Sequence, residues 1–189
     1  MNSGKNIHIQ GIKIVRETIQ AGSAEKILTK PIRLFSRQRS ILKTALLYLP
    51  YYLFQCKVDF VRGTARTDKL CIDGLLGEYA LYRDIELIPA DDISFAPLSF
   101  ILTPEEALER GAPAYKKELF KRSLKFNQAV KSTSFQLQGE FHYPYWIGYF
   151  KRVGALDFDV LDAVNGERQG VRLKPVFIRA LMQLGGKVS

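Results

Sequence analysis

The sequence YLPYYLF at positions 48–54 has a counterpart in HYPYWIG at positions 142–148, and the prolines Pro50 and Pro144 align. A second pair of segments follows, CIDGLLGE at 71–78 and VLDAVNGE at 160–167. Two matched segments in the same order indicate one structural unit that occurs twice in the chain. The connection between the segments is about five residues shorter in the second copy, which predicts a trimmed hairpin loop there.

Each copy carries the alternation of apolar and polar residues that is typical of a half-buried strand. The apolar positions are Phe54, Cys56, Val58 and Phe60 in the first copy, and Leu156, Phe158 and Val160 in the second. In the first copy, a glycine-containing loop at 62–67 connects this strand to a return strand. In the second copy, the Val153-Gly154 pair is the connection that precedes it. Each copy is therefore predicted to form an antiparallel hairpin.

The matched segments at 73–78 and 162–167 are predicted to be turns. Asp73 and Asp162 can accept hydrogen bonds from backbone amides just downstream, and Gly77 and Gly166 can adopt a positive φ. A further strand is predicted after each turn, at 79–87 and at 169–173.

Helices are predicted ahead of each hairpin. Thr103 is an N-cap, followed by Pro104 and by Glu106 three residues on, and this helix is predicted to stop at Gly111. A longer amphipathic helix is expected at 114–130. Its core side is expected to carry Tyr115, Leu119, Leu124 and, as an alternative, Phe120. In the first half the main helix is expected at 36–47, after a shorter one that starts at residue 23, and a last helix is expected at 175–184.

These elements predict an α+β fold made of two related helix-plus-antiparallel-hairpin units. The first unit is expected at 7–89 and the second at 93–186, with the boundary in the segment Pro89-Ala90-Asp91-Asp92. The alternative is a single compact domain in which both units share one sheet or core.

The composition is that of an ordinary globular protein, with 47% apolar and 25% charged residues in 189. Cys56 and Cys71 lie in apolar runs and are expected to be buried thiols. The N-terminus lacks the apolar segment of a signal peptide, and no apolar run is long enough for a transmembrane segment. The expected location is therefore the cytoplasm.

The second copy, with its LDAVNGE segment at 161–167, resembles PepSY-like and more broadly cystatin-like α+β modules. Those modules place a helix before an antiparallel hairpin whose second strand ends in a turn of the form Asp-x-x-x-Gly-Glu. The resemblance implies a non-catalytic domain that binds a peptide, a protease or a membrane-associated partner.

The aromatic segment of the second copy is the candidate binding site for a ligand or partner. It consists of Tyr143, Tyr145, Trp146, Gly148 and Tyr149. Tyrosine and tryptophan combine a large apolar surface with a polar group, which suits a peptide, a base or a sugar. Strand register places Trp146 towards the core, with Tyr145 and Tyr149 on the other side. Gly148 replaces Phe54, so either a neighbouring side chain fills the space or a ligand cavity lies beside it.

A second candidate site is a basic face for anions. Its residues are Lys117, Lys121, Arg122 and Lys125, and Arg33, Arg37, Arg39 and Lys43 could extend it. Lys117, Lys121 and Lys125 recur every four residues and would share one helix face. The net charge of +9 favours nucleic acid or an anionic membrane surface as a partner. A plain solvated face is the alternative.

No cofactor, metal site or catalytic residue is assigned. The two histidines and two cysteines lack zinc-like spacing, and there is no phosphate-binding glycine motif. The leading hypothesis is a non-enzymatic binding or scaffolding protein that engages a protein, peptide or small ligand through its aromatic hairpin faces. Alternatives are binding of nucleic acid or anionic lipid through the basic helices, and a small enzyme of unidentified reaction. A half-exposed aromatic sheet face also permits a homodimer.

Overall fold

A computed structural model describes residues 11–31, 40–81, 86–90, 97–152 and 155–185 of the chain. These residues form seven strands, three α-helices and one 3₁₀ turn. The strands are β1 Lys13–Val15, β2 Ile41–Phe60, β3 Arg66–Asp73, β4 Tyr79–Leu81, β5 Leu87–Pro89, β6 Val130–Arg152 and β7 Ala155–Asp162. The helices are α1 Ala21–Thr29, α2 Pro104–Lys125 and α3 Lys174–Gly185, and the 3₁₀ turn is Val171–Leu173.

All seven strands belong to one sheet, which confirms the α+β class. The hydrogen-bonded order is β4-β3-β2-β6-β1-β5, and β7 pairs with residues 145–152 of β6. At the centre, β2 and β6 run antiparallel over nearly their whole length, from the Ile41↔Phe150 pair to the Phe60↔Val130 pair. Strands from both halves of the chain therefore lie side by side.

The pairing of β2 with β6 has three irregularities, one of them in the middle of the strands. Leu53 lies opposite Gly139, whereas the next residue, Phe54, lies opposite Leu137, so Gln138 is the extra residue of a β-bulge. Gly139 has a φ of +156°, a conformation that residues with a Cβ atom rarely adopt.

The two predicted hairpins are present, as β2–β3 and β6–β7. Each return strand ends in a turn with the same backbone hydrogen bond: the Asp73 amide donates to the Glu78 carbonyl at 3.0 Å, and the Asp162 amide donates to the Glu167 carbonyl at 2.9 Å. The glycines with positive φ in these turns are Gly77 and Gly166.

Helices cover both faces of the sheet. On one face, Tyr115 and Leu119 of α2 are buried in a cluster with Tyr52 and Phe54. On the same face, α1 packs its Ala24 and Leu28 against Phe150 and Leu161 of the second hairpin. On the opposite face, α3 packs its Val176, Phe177 and Ala180 against Leu49, Phe141 and Ile147. The core is therefore double, with one layer on each side of the sheet.

Three predicted elements are wrong. Residues 41–47 of the helix expected at 36–47 belong to β2, because long pairing with β6 overrides helix propensity. Residues 36–39 lie outside the described part. The predicted stop at Gly111 does not occur, since α2 is a single helix that continues through Pro113 to Lys125. The strand expected at 169–173 is instead a bridge between Leu161 and Arg168 followed by the 3₁₀ turn.

Two further predictions are changed in part. Residues 79–87 contain β4 and the first residue of β5, which lie at opposite edges of the sheet, and residues 82–85 are outside the described part. On α2, Tyr115 and Leu119 are buried as predicted, but Phe120 and Leu124 are exposed. The proposed boundary at 89–92 lies only partly within the described residues.

Within the described residues, no helix combines the length and the apolar character needed to cross a membrane.

Candidate functional site

Two tyrosines at matching ladder positions meet on the α3 side of the sheet. Tyr51 lies opposite Asp73 in the first hairpin, and Tyr145 lies opposite Asp162 in the second. The hydroxyl oxygens of Tyr51 and Tyr145 are hydrogen-bonded to each other at 3.0 Å, and both side chains are buried. Because only one hydrogen can lie between the two oxygens, the other hydroxyl hydrogen is left for a further acceptor.

A cavity of about 390 Å³ opens beside these tyrosines. Four aromatic residues line it from the two central strands: Tyr51, Phe141, Tyr143 and Tyr145. Polar side chains from the second turn and the 3₁₀ turn line the rest, chiefly Asp162, Asn165, Glu167 and Arg172. This mixture of apolar walls and a few polar groups is typical of small-molecule sites.

The aromatic rings hold one another in place. Tyr51 stacks on Phe141 with ring centroids 5.7 Å apart, and the rings of Tyr143 and Tyr145 are 5.1 Å apart. Tyr145 also contacts Phe177 of α3 edge-on at 5.0 Å. The walls are therefore set by packing from three elements, so that a ligand would meet a preformed surface.

The two turn aspartates differ in the bonds that they accept. Asp73 accepts from three backbone amides, two at one oxygen and the Glu78 amide at the other. Asp162 accepts two backbone amides at Oδ1, whereas its Oδ2 accepts from the Tyr143 hydroxyl, which donates to both oxygens at 2.9 and 3.0 Å. The Asp162 carboxylate thus faces the cavity with an oxygen that the turn does not use.

The reason lies in one sequence difference between the turns. Asn165 stands where the first turn has Leu76, and its side-chain oxygen accepts the Glu167 amide at 2.8 Å. In the first turn the corresponding amide donates to Asp73 instead. The asparagine therefore releases one carboxylate oxygen of Asp162 from the backbone.

Burial keeps the aromatic hydroxyls and the thiol of this cavity neutral. It raises the pKa of Tyr51, Tyr143 and Tyr145 above the ordinary tyrosine value, and nearby Asp73 and Asp162 reinforce the effect. Burial also raises the pKa of Cys71. At neutral pH the tyrosines are hydrogen-bond donors and Cys71 is a thiol rather than a thiolate.

The remaining charges make the cavity locally acidic. The Arg172 guanidinium lies 3.6 Å from the Glu78 carboxylate, 5.4 Å from the Tyr79 ring centroid, and donates to the Tyr79 carbonyl at 2.8 Å. Its charge is therefore already paired, and the carboxylates of Asp162 and Glu167 also line the cavity. A positively charged ligand group is the natural complement in a chain that is otherwise basic.

The structure brings together only part of the predicted aromatic site. Tyr143 and Tyr145 line the cavity, and Tyr149 packs half-buried against the same apolar cluster without lining it. Trp146 lies on the other face of the sheet, where its indole donates to the Ile19 carbonyl at 2.7 Å.

The space beside Gly148 is filled by neighbours. A Cβ atom there would lie 3.0 Å from Leu28 and 3.4 Å from Ile41. Neighbouring side chains, and not a ligand cavity, therefore occupy the space beside Gly148. The cavity lies on the opposite face of the sheet.

Sequence reasoning missed Tyr51, Phe141, Asp162 and Arg172 as cavity residues. Two features of the sequence could have indicated this region. One is the alignment of Pro50 with Pro144 in the two copies, and the other is Asn165 at the position that matches Leu76.

The predicted basic site lies elsewhere, on α2. Lys117, Lys121 and Lys125 are exposed, whereas Arg122 is half-buried and pairs with Glu118 at 3.3 Å. Lys43 belongs to β2 and not to a helix. Arg33, Arg37 and Arg39 lie outside the described residues.

His142, the histidine within the described residues, bonds the Leu98 carbonyl on the other side of the sheet and does not line the cavity. The described residues also contain no group of three or more metal-ligating side chains.

Comparisons of the chain with protein-family models, with curated proteins and with solved structures found no match. The resemblance to PepSY-like and cystatin-like modules stays a prediction.

Proposed function

We propose that this chain is a binding protein that takes up a small ligand, or a side chain of a peptide, carrying a positively charged amine or guanidinium group. The observation that carries the proposal is the Asp162 carboxylate, which presents an oxygen to an aromatic cavity. This oxygen is available because the side chain of Asn165 accepts the Glu167 amide of the turn. No catalytic step is part of the proposal.

Aromatic walls and a carboxylate act together on such a ligand. The faces of Tyr143, Tyr145 and Phe141 attract a cation through their ring quadrupoles and cover its apolar part. Asp162 adds a charge-assisted hydrogen bond, which is stronger than a neutral one. A cavity of about 390 Å³ lies at the small end of the range for ligand sites and suits one ring or one long side chain.

Titration with phenethylamine tests this function. We expect saturable binding to the full chain with a dissociation constant on the order of 1 mM or tighter for so small a probe. The uncharged analogue 2-phenylethanol and the anionic analogue 3-phenylpropionate should bind at least about 10-fold more weakly, since they lack the charge that Asp162 recognises. Isothermal titration calorimetry or ligand-detected NMR provides the measurement.

Two variants localise the effect. Asp162→Asn keeps the acceptor for the turn amides but removes the charge, and Tyr143→Phe keeps the ring but removes the hydroxyl. Asp162→Asn should weaken phenethylamine binding about 10-fold or more, and Tyr143→Phe should change it less. Glu25→Gln, an exposed carboxylate on α1, is the matched control and should leave binding unchanged. Equal affinity for all three probes, or no effect of Asp162→Asn, would refute the proposal.

The two-unit organisation, with units at 7–89 and 93–186, belongs to the same proposal. It is supported by the matching hydrogen bonds of the two turns and by the equivalent ladder positions of Tyr51 and Tyr145. In that organisation the first unit serves as the structural copy and the second carries the specific residues. The two unpaired thiols, Cys56 and Cys71, support the proposal of a reducing, cytoplasmic location.

A further inference from the structure

The outward face of the second half of α2 carries large apolar side chains. Phe120 is 61% exposed and Leu124 is 66% exposed. Phe120 and Leu124 are four residues apart, so they lie next to each other on the helix surface.

Core packing does not account for these residues. The inward face of this half of the helix is formed by Tyr115, Leu119 and Ser123, all of them buried. Phe120 and Leu124 point the other way, and the described residues place nothing over them. Single exposed apolar residues are common on proteins, whereas Phe120 and Leu124 are neighbouring exposed side chains on one helix face.

Lysines alternate with the apolar residues on the same face. Lys117, Lys121 and Lys125 are exposed there, and Lys116 lies at its edge. The one acidic residue of the segment 114–126 is Glu118, which is half-buried and paired with Arg122. The helix dipole favours cations near a C-terminus, but it gives no reason for exposed phenylalanine and leucine among them.

We propose that this face, formed by Lys117, Phe120, Lys121, Leu124 and Lys125, docks on the surface of an anionic lipid bilayer. Interfacial helices combine lysines, which attract acidic headgroups, with phenylalanine and leucine side chains, which enter the boundary between headgroups and acyl chains. Nucleic acid fits less well, because Leu124 offers no stacking surface and the exposed cations are lysines rather than the bidentate arginines that read bases.

Docking through this face leaves the aromatic cavity uncovered. α2 packs on the side of the sheet that carries Tyr52, whereas the cavity lies on the side that carries Tyr51 and α3. The membrane surface and the ligand site are therefore independent, and each can be lost without the other.

Co-sedimentation of the full chain with large unilamellar vesicles tests the proposal. We expect binding at about 0.15 M salt to phosphatidylcholine vesicles that contain about 30% phosphatidylserine, and none to pure phosphatidylcholine. A variant with Phe120→Ser and Leu124→Ser should lower the partition coefficient at least about 10-fold. A variant with Lys117→Gln, Lys121→Gln and Lys125→Gln should do the same.

Two matched control variants alter equivalent exposed residues outside this face. Val171→Ser with Met182→Ser removes apolar side chains that are 86% and 66% exposed, and Lys26→Gln with Lys30→Gln and Lys151→Gln removes three exposed charges. Both should retain binding within about 2-fold, and far-ultraviolet circular dichroism checks that every variant is folded.

Three results would overturn the proposal. The first is no binding to the anionic vesicles, and the second is a loss in the lysine control as large as in the α2 lysine variant. The third is tight binding of a single-stranded oligonucleotide that the α2 variants abolish while vesicle binding is weak, which would assign the face to nucleic acid.

Discussion

Asn165 is the residue on which the difference between the two turns depends. Its side chain accepts the hydrogen bond of the Glu167 amide. In the first turn the corresponding amide, that of Glu78, donates to the carboxylate of Asp73. The carboxylate of Asp162 can then accept from Tyr143 and line a cavity, whereas both oxygens of Asp73 accept from backbone amides of its own turn. A change at one turn position therefore separates a carboxylate that serves only the turn from the one that we propose binds the ligand.

His142 gives the chain a pH dependence of known sign. It is buried, and burial lowers its pKa below the ordinary value, although its bond to the Leu98 carbonyl opposes the shift. The unfolded chain therefore binds a proton between the folded pKa and about pH 6.5, where the folded protein does not. The stability that this histidine contributes is present above about pH 6.5 and is lost as the pH falls through the lowered folded pKa.

The substitution His142→Gln tests this at the residue scale. Glutamine can keep a donor to the Leu98 carbonyl and has no charge to gain. We expect the free energy of unfolding of the wild type to fall more steeply than that of the variant between about pH 7 and pH 5. Urea unfolding at a series of pH values measures both, and parallel curves would contradict the assignment.

At the scale of the element, α2 approaches the first hairpin most closely at Gly111. A Cβ atom there would lie 2.9 Å from Ile72 Cδ1 and 3.0 Å from the carbonyl oxygen of Gly77. The backbone oxygen cannot rotate away, so the helix would have to shift. This close approach also explains why a glycine occurs in the middle of a helix, where it costs stability relative to alanine.

We therefore expect Gly111→Ala to lower the free energy of unfolding by about 1–3 kcal/mol, although alanine is the better helix former. The matched control is Gly22→Ala in α1, where a Cβ atom would meet nothing within 4 Å. It should leave stability unchanged or raise it by a few tenths, about 0.3 kcal/mol. Denaturant unfolding gives both values, and a neutral Gly111→Ala would show that the helix is not held at this distance.

The hairpins could be predicted from the sequence because their information is local. Alternation and turn residues are visible within about ten positions, and they place Trp146 and Tyr145 on opposite faces of the sheet. β2 was missed over Ile41–Leu47 because a run of apolar residues does not by itself distinguish a strand from a helix. Its pairing with β6, about 100 residues away in sequence, makes it a strand. The cavity depends on the same pairing, so it could not be predicted from local pattern.

For the whole molecule, the pairing of β2 with β6 predicts one cooperative unit. The two strands pair from Ile41↔Phe150 to Phe60↔Val130, so neither half keeps its central strand neighbour without the other. We expect a single unfolding transition that coincides by circular dichroism and by the fluorescence of Trp146, the one tryptophan of the chain. Two separate transitions would show that the units at 7–89 and 93–186 are independent domains.

The most direct test of the proposed function is a crystal structure of the chain with bound phenethylamine. We expect the ammonium nitrogen within about 3.2 Å of the Asp162 carboxylate, with the phenyl ring among Phe141, Tyr143 and Tyr145. A ligand held elsewhere on the molecule, or bound in the cavity with its ammonium group directed away from Asp162, would contradict it.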